Sequence, residues 1–208
     1  MRRPSRPRHP YSVKYVPVAT DGSLDQTLTL QNNTDVSVRP TLAFVTRDIW
    51  GRELPHVVTR TVNGSDLGGP ILPAHGSLTD VLRFDGPGFR DVRVIEVTLA
   101  EVEEIDHPAL EGDIRTVMID LEQKATDEPA EFWGIGMVNP NPFGVTVRVS
   151  LVEIEERERD YPRQVVDVVT LQDDVDMASV SNQVIWLPED VRGQFHEVVH
   201  HLRPTILT

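Results

Sequence analysis

The sequence predicts an all-β fold in which one strand-built unit occurs twice. From Val145 to Leu151, apolar and polar residues alternate, which is the period-2 pattern of a strand with one buried face. A related pattern runs from Val36 to Phe44, after a turn rich in asparagine. Valine is prominent among the apolar residues and aromatic residues make up 6% of the chain, a composition that favours strands over helices.

Short alternating segments separated by turn signals fill the first half of the chain. The predicted strands are Tyr11–Val18, Leu24–Leu30, Val36–Val45, Leu78–Phe84 and Val92–Val102, with a hairpin turn at Asp48–Leu54. Pro40 cannot donate a backbone hydrogen bond, so we expect it at an edge or a bulge. Short strands with a turn signal every few residues are typical of a β-sandwich.

The second half repeats these signals in the same order. The triplet Val36, Val38 and Leu42 returns as Val145, Val147 and Leu151, a spacing of 109 (145 − 36). Other recurring signals are Ala19-Thr20-Asp21 with Ala125-Thr126-Asp127, Pro55 and Val57-Val58 with Pro162 and Val165-Val166, and Ser77 with Ser179. Similar spacings in one order indicate a tandem duplication.

Several segments give the chain a family resemblance. They are the Asn-rich turn at Asn32–Asp35, the strand Val36–Phe44, the Trp50-Gly51 turn, and Leu72-Pro73-Ala74-His75-Gly76 before a strand. This order resembles bacterial immunoglobulin-like or fibronectin-like sandwiches, including FxLYD-type domains. The aromatic-Leu-Tyr-Asp signature itself is absent, because Phe44-Val45-Thr46-Arg47-Asp48 departs from it.

The duplication predicts two tandem β-sandwiches, at residues 11–107 and 108–208, which meet at a short turn containing Pro108 and Gly112. The resemblance implies that both are immunoglobulin-like. It also implies a non-catalytic interaction module and supplies no functional residues. We therefore expect a protein partner or a second copy of the chain, bound through loops or through strand addition at a sheet edge.

The charge is unevenly distributed along the chain. Of the formal net charge of −13, Arg2, Arg3, Arg6 and Arg8 contribute +4, so the rest carries −17. An acidic body repels nucleic acids and anionic membranes, and only the basic tail would attract them or an acidic partner. Three prolines among residues 1–10 predict that this Arg/Pro-rich tail is disordered.

Targeting signals are also missing from the sequence. No apolar run follows the basic start, and no stretch reaches the roughly 20 apolar residues of a membrane span. Cysteine is absent, which excludes disulfides and thiolate chemistry. We expect a cytoplasmic protein without a membrane span.

The sharpest chemical motif is His196-Glu197-Val198-Val199-His200, which fits the H-E-x-x-H pattern of zinc hydrolases. That chemistry needs a helix, so that both imidazoles bind Zn²⁺ while Glu197 activates a water. Only eight residues follow His200, and the repeat places a strand here. A zinc hydrolase using Glu197 therefore remains an alternative, as does an adventitious zinc site at His196, His200 or His201.

Acidic groups offer a second metal hypothesis. One contains Glu101, Glu103, Glu104 and Asp106, another Asp127, Glu128 and Glu131, and a third Asp173, Asp174 and Asp176. Carboxylates at a junction between sandwiches could bind adventitious Ca²⁺, although no D-x-D-x-D-G loop is present. Solvated strand edges are the simpler interpretation, and no cofactor is expected.

Exposed aromatic residues suggest a further alternative, a carbohydrate-binding module. Trp133 and Trp186 lie in strand contexts that favour the core, whereas Trp50 lies at a turn tip. Trp50 and the arginines of the tail are therefore the predicted interaction residues. No catalytic motif stands above background, so the chain is predicted not to be an enzyme.

Overall fold

The computed structural model describes residues 10–15, 24–155, 164–171, 174–192 and 199–208. The strands are β1 (Tyr11–Tyr15), β2 (Leu24–Asn32), β3 (Val38–Arg47), β4 (Val58–Thr61), β5 (Ser77–Asp85), β6 (Val94–Glu104), β7 (Arg115–Ile119), β8 (Gly134–Asn139), β9 (Val145–Glu155), β10 (Gln164–Thr170), β11 (Val175–Met177), β12 (Ser181–Trp186) and β13 (Val199–Ile206). Short helical turns occupy Ser65–Leu67, Phe89–Asp91, Pro129–Glu131 and Glu189–Arg192. The β-rich fold predicted from period-2 alternation is confirmed.

Residues 10–104, here called the N-terminal half, contain two antiparallel sheets. One has the strand order β1-β2-β5-β4, and the other pairs β3 with β6. Both sheets contribute to one group of buried residues, the N-terminal cluster: Leu28, Leu30, Val38, Leu42, Leu72, Leu78, Leu82 and Phe84. Removing this apolar surface from water is the main favourable term for folding this half.

Residues 105–208, the C-terminal half, contain two further sheets. One has the order β12-β8-β7, and in the other β9 pairs with β10 and β11 along one edge and with β13 along the other. A second group of buried residues is the C-terminal cluster: Ile71, Ile114, Phe132, Ile135, Met137, Val145, Val147, Val149, Leu151, Leu171, Val175, Met177, Leu187 and Ile206. Ile71 is its one member from the N-terminal half.

A buried asparagine closes the same kind of turn in each half. The Nδ2 of Asn32 donates to the backbone oxygens of Val36 and Pro73 at 2.8 and 3.1 Å, while its Oδ1 accepts from the backbone N–H of Thr34 at 2.9 Å. Asn32 is 1% exposed. These contacts satisfy backbone groups that would otherwise be buried without partners.

Asn139 repeats this arrangement in the C-terminal half. Its Nδ2 donates to the backbone oxygens of Phe143 and Ala178, both at 2.9 Å, and its Oδ1 accepts from the backbone N–H of Asn141 at 3.0 Å. Asn139 is 0% exposed. In both halves, the asparagine side chain thus donates to the backbone oxygen four residues later and accepts from the backbone N–H two residues later.

The segment that each amide fixes also adopts the same unusual backbone. His75 has a φ of 55° and donates its N–H to the oxygen of Thr34, and Val180 has a φ of 44° and donates to the oxygen of Asn141. Positive φ is uncommon for residues other than glycine. The turn geometry therefore prevails over the local preference of both residues.

These contacts correct the predicted register of the repeat. Asn32 and Asn139 are 107 positions apart (139 − 32), not 109, so Val38 rather than Val36 corresponds to Val145. Burial agrees, because Val38 and Val145 are buried whereas Val36 is 40% exposed. Where valine occupies every second position of a strand, a shift of two residues preserves the alternation, which explains why the predicted spacing is wrong by two residues.

The predicted match of Ser77 with Ser179 is wrong for a similar reason. His75 corresponds to Val180 by its hydrogen bond and its φ, a spacing of 105 (180 − 75), so Ser77 corresponds to Asn182. Two other predicted matches cannot be compared in this way, because one member of each lies outside the described residues: Ala19-Thr20-Asp21 and Pro162.

Direct contacts join the two halves. The N–H of Ile71 donates to the oxygen of Ile206 at 2.8 Å, and the guanidinium of Arg83 donates to the oxygen of Val168 at 2.9 Å. A small buried group of Val81, Val152 and Val168 also spans the boundary. Asn63 accepts from Ser150 at 3.0 Å.

Asp80, which binds the backbone of Asn63, is fully buried. Its carboxylate accepts from the backbone N–H of Asn63 at 2.8 Å and from the hydroxyl of Ser65 at 2.6 Å. This carboxylate therefore fixes the loop of the N-terminal half that contacts β9.

Pro40 lies in the two-stranded β3-β6 sheet, next to a register shift between Thr41 and Leu42. The predicted edge or bulge position of Pro40 is therefore confirmed. Among the described residues, no helix is long and apolar enough to cross a membrane.

Candidate functional site

A rigid turn at the end of β3 forms the candidate site. Asp48 is 4% exposed, and its Oδ1 accepts from the backbone N–H groups of Trp50 and Arg52 at 2.8 and 2.9 Å. Its Oδ2 accepts from Nε of Arg52 at 2.7 Å. Gly51 has a φ of 77°, which suits glycine, and lets the chain reverse direction. One buried carboxylate thus organises the whole turn.

The turn presents two large apolar side chains to solvent. Ile49 is 71% exposed and Trp50 is 76% exposed. The guanidinium carbon of Arg52 lies 4.7 Å from the centroid of the indole ring of Trp50, which is cation–π distance. We call Asp48 to Arg52 the Trp50 turn. Exposed tryptophan and arginine side chains on a fixed backbone are typical of binding hot spots.

The charge of Asp48 depends on this geometry. Burial opposes ionisation of Asp48, but hydrogen bonds from the backbone and side chain of Arg52 and from the backbone of Trp50 outweigh it and lower the pKa of Asp48 below its ordinary value. The ionised carboxylate, which only accepts hydrogen bonds, is the form that the turn requires.

Arg47 connects the Trp50 turn to β6. Its guanidinium donates to Glu96 at 2.9 Å, to Glu53 at 3.0 Å and to the backbone oxygen of Gly51 at 3.2 Å. The hydrogen bond to Glu96, together with the charges of both carboxylates, raises the pKa of Arg47 although burial opposes this. Arg47 therefore remains a permanent cation that braces the base of the turn.

Trp186 is not in the core, contrary to the prediction. In the pairing of β12 with β8, Trp186 lies opposite Gly134 and Ile185 lies opposite Ile135, which is fully buried. Since neighbouring residues of a strand face opposite sides, Trp186 lies on the outer face and is 47% exposed. A Cβ on Gly134 would lie 3.1 Å from Cε3 of Trp186, so the indole lies across that glycine.

Trp133 is half-buried and belongs to neither cluster, so its predicted core position is also wrong. The guanidinium carbon of Arg192 lies 4.0 Å from its ring centroid. The three tryptophans are not brought together on one strand or one turn, since Trp50 belongs to the N-terminal half and the other two to the C-terminal half.

Of the predicted zinc motif, His196 and Glu197 lie outside the described residues. His200 and His201 belong to β13, where their backbones pair with Glu153 and Val152 of β9. A helix carrying both histidines of an H-E-x-x-H motif would have to include Val199 and His200, but these two residues begin a strand.

The predicted calcium groups do not come together in the part of the chain that the structure describes, where no three His, Asp or Glu side chains could hold a metal ion. Asp174 instead accepts two hydrogen bonds from the guanidinium of Arg148, at 2.8 and 2.9 Å. The hydrogen bond that Arg148 donates to Asp174 raises the pKa of Arg148 and outweighs the effect of burial. Asp173 lies outside the described residues, as do Arg2, Arg3, Arg6 and Arg8 of the tail.

The sequence predicts Trp50 at a turn tip but does not single out Asp48 and Ile49 as residues of a site. An aspartate that begins a turn and precedes a glycine by three residues is a signal for side-chain capping of the turn, and it was available in Asp48-Ile49-Trp50-Gly51. That Ile49 is exposed could not be read from the alternation, because the strand has already ended there.

No protein-family model and no curated protein matches this chain.

Proposed function

We propose that the chain is a pair of tandem immunoglobulin-like β-sandwiches that acts as a non-catalytic protein-interaction module, with the Trp50 turn as its principal contact. Support for the architecture comes from two clusters, each drawing on two sheets, and from the repeated amide contacts of Asn32 and Asn139. The resemblance to FxLYD-type and related bacterial domains agrees with this arrangement.

The observation that carries the functional proposal is the exposure of Ile49 and Trp50 on a turn that is already fixed. Burying these two side chains in a partner would remove mainly apolar surface from water, which is favourable. Because Asp48 and Arg47 hold the backbone, little conformational entropy would be lost on binding.

The alternatives receive less support. A zinc hydrolase needs a helix at His200, where β13 is a strand. A carbohydrate platform at Trp50 would have only the second face of the ring, because Arg52 lies over the first. The basic tail remains a predicted second contact for an acidic partner.

The test is quantitative capture of partner proteins by the immobilised full chain and by its Trp50→Ala variant. A matched control is Leu67→Ala, because Leu67 is also 76% exposed but lies in a different loop. We expect Trp50→Ala to weaken the principal complex by about 2 kcal/mol, roughly 30-fold, as a hot-spot truncation does.

Light scattering on the free chain reports self-association in the same experiment. The proposal requires a complex, with a partner or a second copy, that Leu67→Ala retains and Trp50→Ala loses. A strictly monomeric chain without any such complex, or equal binding by both variants, would reject it.

A further inference from the structure

The free edge of β6 is a second surface with the properties of a binding site. β6 pairs with β3 along one edge, and no other described strand pairs with its second edge. Backbone N–H and C=O groups on such an edge can accept an added strand. In the register, Leu42 opposes Leu99 and Thr41 opposes Glu101, so Ala100 is an extra residue. The regular part of the edge is therefore Val94–Leu99.

The side chains of this stretch show what an added strand would cover. Ile95, Val97 and Leu99 alternate along the strand and pack against the N-terminal cluster, but all three are only partly buried. Residues that face a core from the last strand of a sheet lack a neighbour on one side. An added strand with apolar residues at alternate positions would complete their burial.

The charges around the edge determine which charge a partner strand should carry. Glu96, Glu101, Glu103 and Glu104 are all exposed on β6. Arg47 pairs with Glu96 and Arg39 with Glu103, whereas Glu101 and Glu104 form no ion pair with a described residue. Glu96 lies within Val94–Leu99 and Glu101 two residues beyond it, both on the outer face of β6, so basic residues on the outer face of an added strand would be attracted to these two carboxylates.

Pairing of β6 with β6 of a second copy is disfavoured by the same charges. It would align the acidic outer faces of two strands, and like charges on adjacent strands destabilise a sheet. Each copy also carries a net charge of −13. The edge is therefore suited to a different, basic chain.

We propose that the β6 edge at Val94–Leu99 binds an extended segment of a partner protein in which apolar residues alternate with lysine or arginine. This inference rests on the proposed function as an interaction module, but its contacts lie on β6 and not on the side chains of the Trp50 turn, which Arg47 joins to Glu96. The added strand would extend the β3-β6 sheet from two strands to three.

The test uses a synthetic peptide of about eight residues in which valine alternates with lysine, added to the full chain at up to about 1 mM. Hydrogen exchange measured residue by residue reports strand addition directly, because amides at the free edge become hydrogen-bonded. We expect protection of the alternate amides in Val94–Leu99 that face away from β3 to rise by about tenfold or more, and a peptide with glutamate in place of lysine to have no effect.

Charge-reversal variants give the matched control. Glu101→Lys should weaken binding of the lysine peptide about threefold to tenfold, whereas Glu128→Lys, which makes the same charge change at an exposed site in the C-terminal half, should change it much less. Both sites are on the surface, and thermal unfolding of each variant checks that the fold is kept.

Unchanged exchange at Val94–Leu99, or equal effects of Glu101→Lys and Glu128→Lys, would overturn the proposal. Peptide binding should be the same in Trp50→Ala as in the natural chain, and its loss in that variant would also overturn it. If the peptide does not bind but a Trp50-dependent complex forms, only the proposal for the β6 edge is rejected. If the peptide binds but no Trp50-dependent complex forms, only the proposed function of the Trp50 turn is rejected.

Discussion

Each half of the chain contains a buried asparagine that closes a turn, but the halves differ in the strands that cover one edge of β3 and of β9. In the N-terminal half, β4 pairs with β5, whereas in the C-terminal half β10 pairs with β9 itself. β9 is therefore covered along one edge by β10 and β11, while the corresponding edge of β3 makes only short contacts, Val38 with Leu72 and Arg47 with Glu53.

This difference accounts for the Trp50 turn in the N-terminal half, whereas residues 156–163, which follow β9, lie outside the described residues. Because no long described strand covers that edge of β3, the chain can fold back at once, and the N–H of Leu54 donates to the oxygen of Thr46 at 2.9 Å. In the C-terminal half β10 occupies the equivalent edge. The asparagine contacts are common to both halves, whereas the strands that cover this edge differ.

Replacing the buried asparagines should have the largest effect on stability. In Asn32→Asp and in Asn139→Asp, a carboxylate oxygen would face the backbone oxygens that Nδ2 now binds. We expect each change to lower the free energy of unfolding by about 3–5 kcal/mol, because a buried group loses its partners and like partial charges meet. Denaturant titration measures this.

Asn182→Asp is the control for both, since Asn182 is exposed on β12. It should change the free energy of unfolding by less than about 0.5 kcal/mol. If Asn32→Asp were destabilising and Asn139→Asp resembled the control, the two halves would not depend on the same contact.

The turns with positive φ provide a smaller test of the same comparison. Val180→Gly should stabilise the protein by about 1 kcal/mol, because a β-branched residue at a φ of 44° is strained and Val180 is 73% exposed, so little burial is lost. This corresponds to a rise in Tm of about 2–4 °C.

His75→Gly should stabilise the protein less than Val180→Gly does, because it also removes the 2.7 Å contact between His75 and Asp35. Val117→Gly, at a partly exposed position inside β7, should be destabilising and serves as control. A lower Tm for Val180→Gly would contradict the assigned backbone strain.

Acid should loosen the Trp50 turn. The folded-state pKa of Asp48 is lowered, so its contribution to stability is fully present above the ordinary aspartate pKa of about 4 and is lost as the pH falls through the lower folded value. Backbone amide chemical shifts of Trp50 and Arg52 should titrate in that acidic range. Asp48→Asn should abolish this titration, and an unchanged titration in the variant would contradict the role of the carboxylate.

Much of the strand content could be predicted from the sequence, since alternation identifies half-buried strands such as β3, β5 and β9. The turn at Asp48–Leu54 and the position of Pro40 followed from local chemistry. The exact register of the repeat did not follow, because valines two residues apart are equivalent in such a pattern.

The contacts that organise the molecule were harder to predict because they are distant in sequence. Asn32 reaches Pro73 and Asn139 reaches Ala178, about 40 residues away in each case, whereas the sequence marks both asparagines only as turn residues. The outward position of Trp186 depends on which face of β12 meets the core, and composition alone does not decide this.

Hydrogen exchange on Asn32→Asp and Asn139→Asp tests the central comparison most directly. We predict that Asn32→Asp reduces protection chiefly in β2, β3 and β5, and Asn139→Asp chiefly in β8, β9 and β12, because each amide closes the turn of its own half. Equal loss of protection across all six strands in both variants would contradict the account.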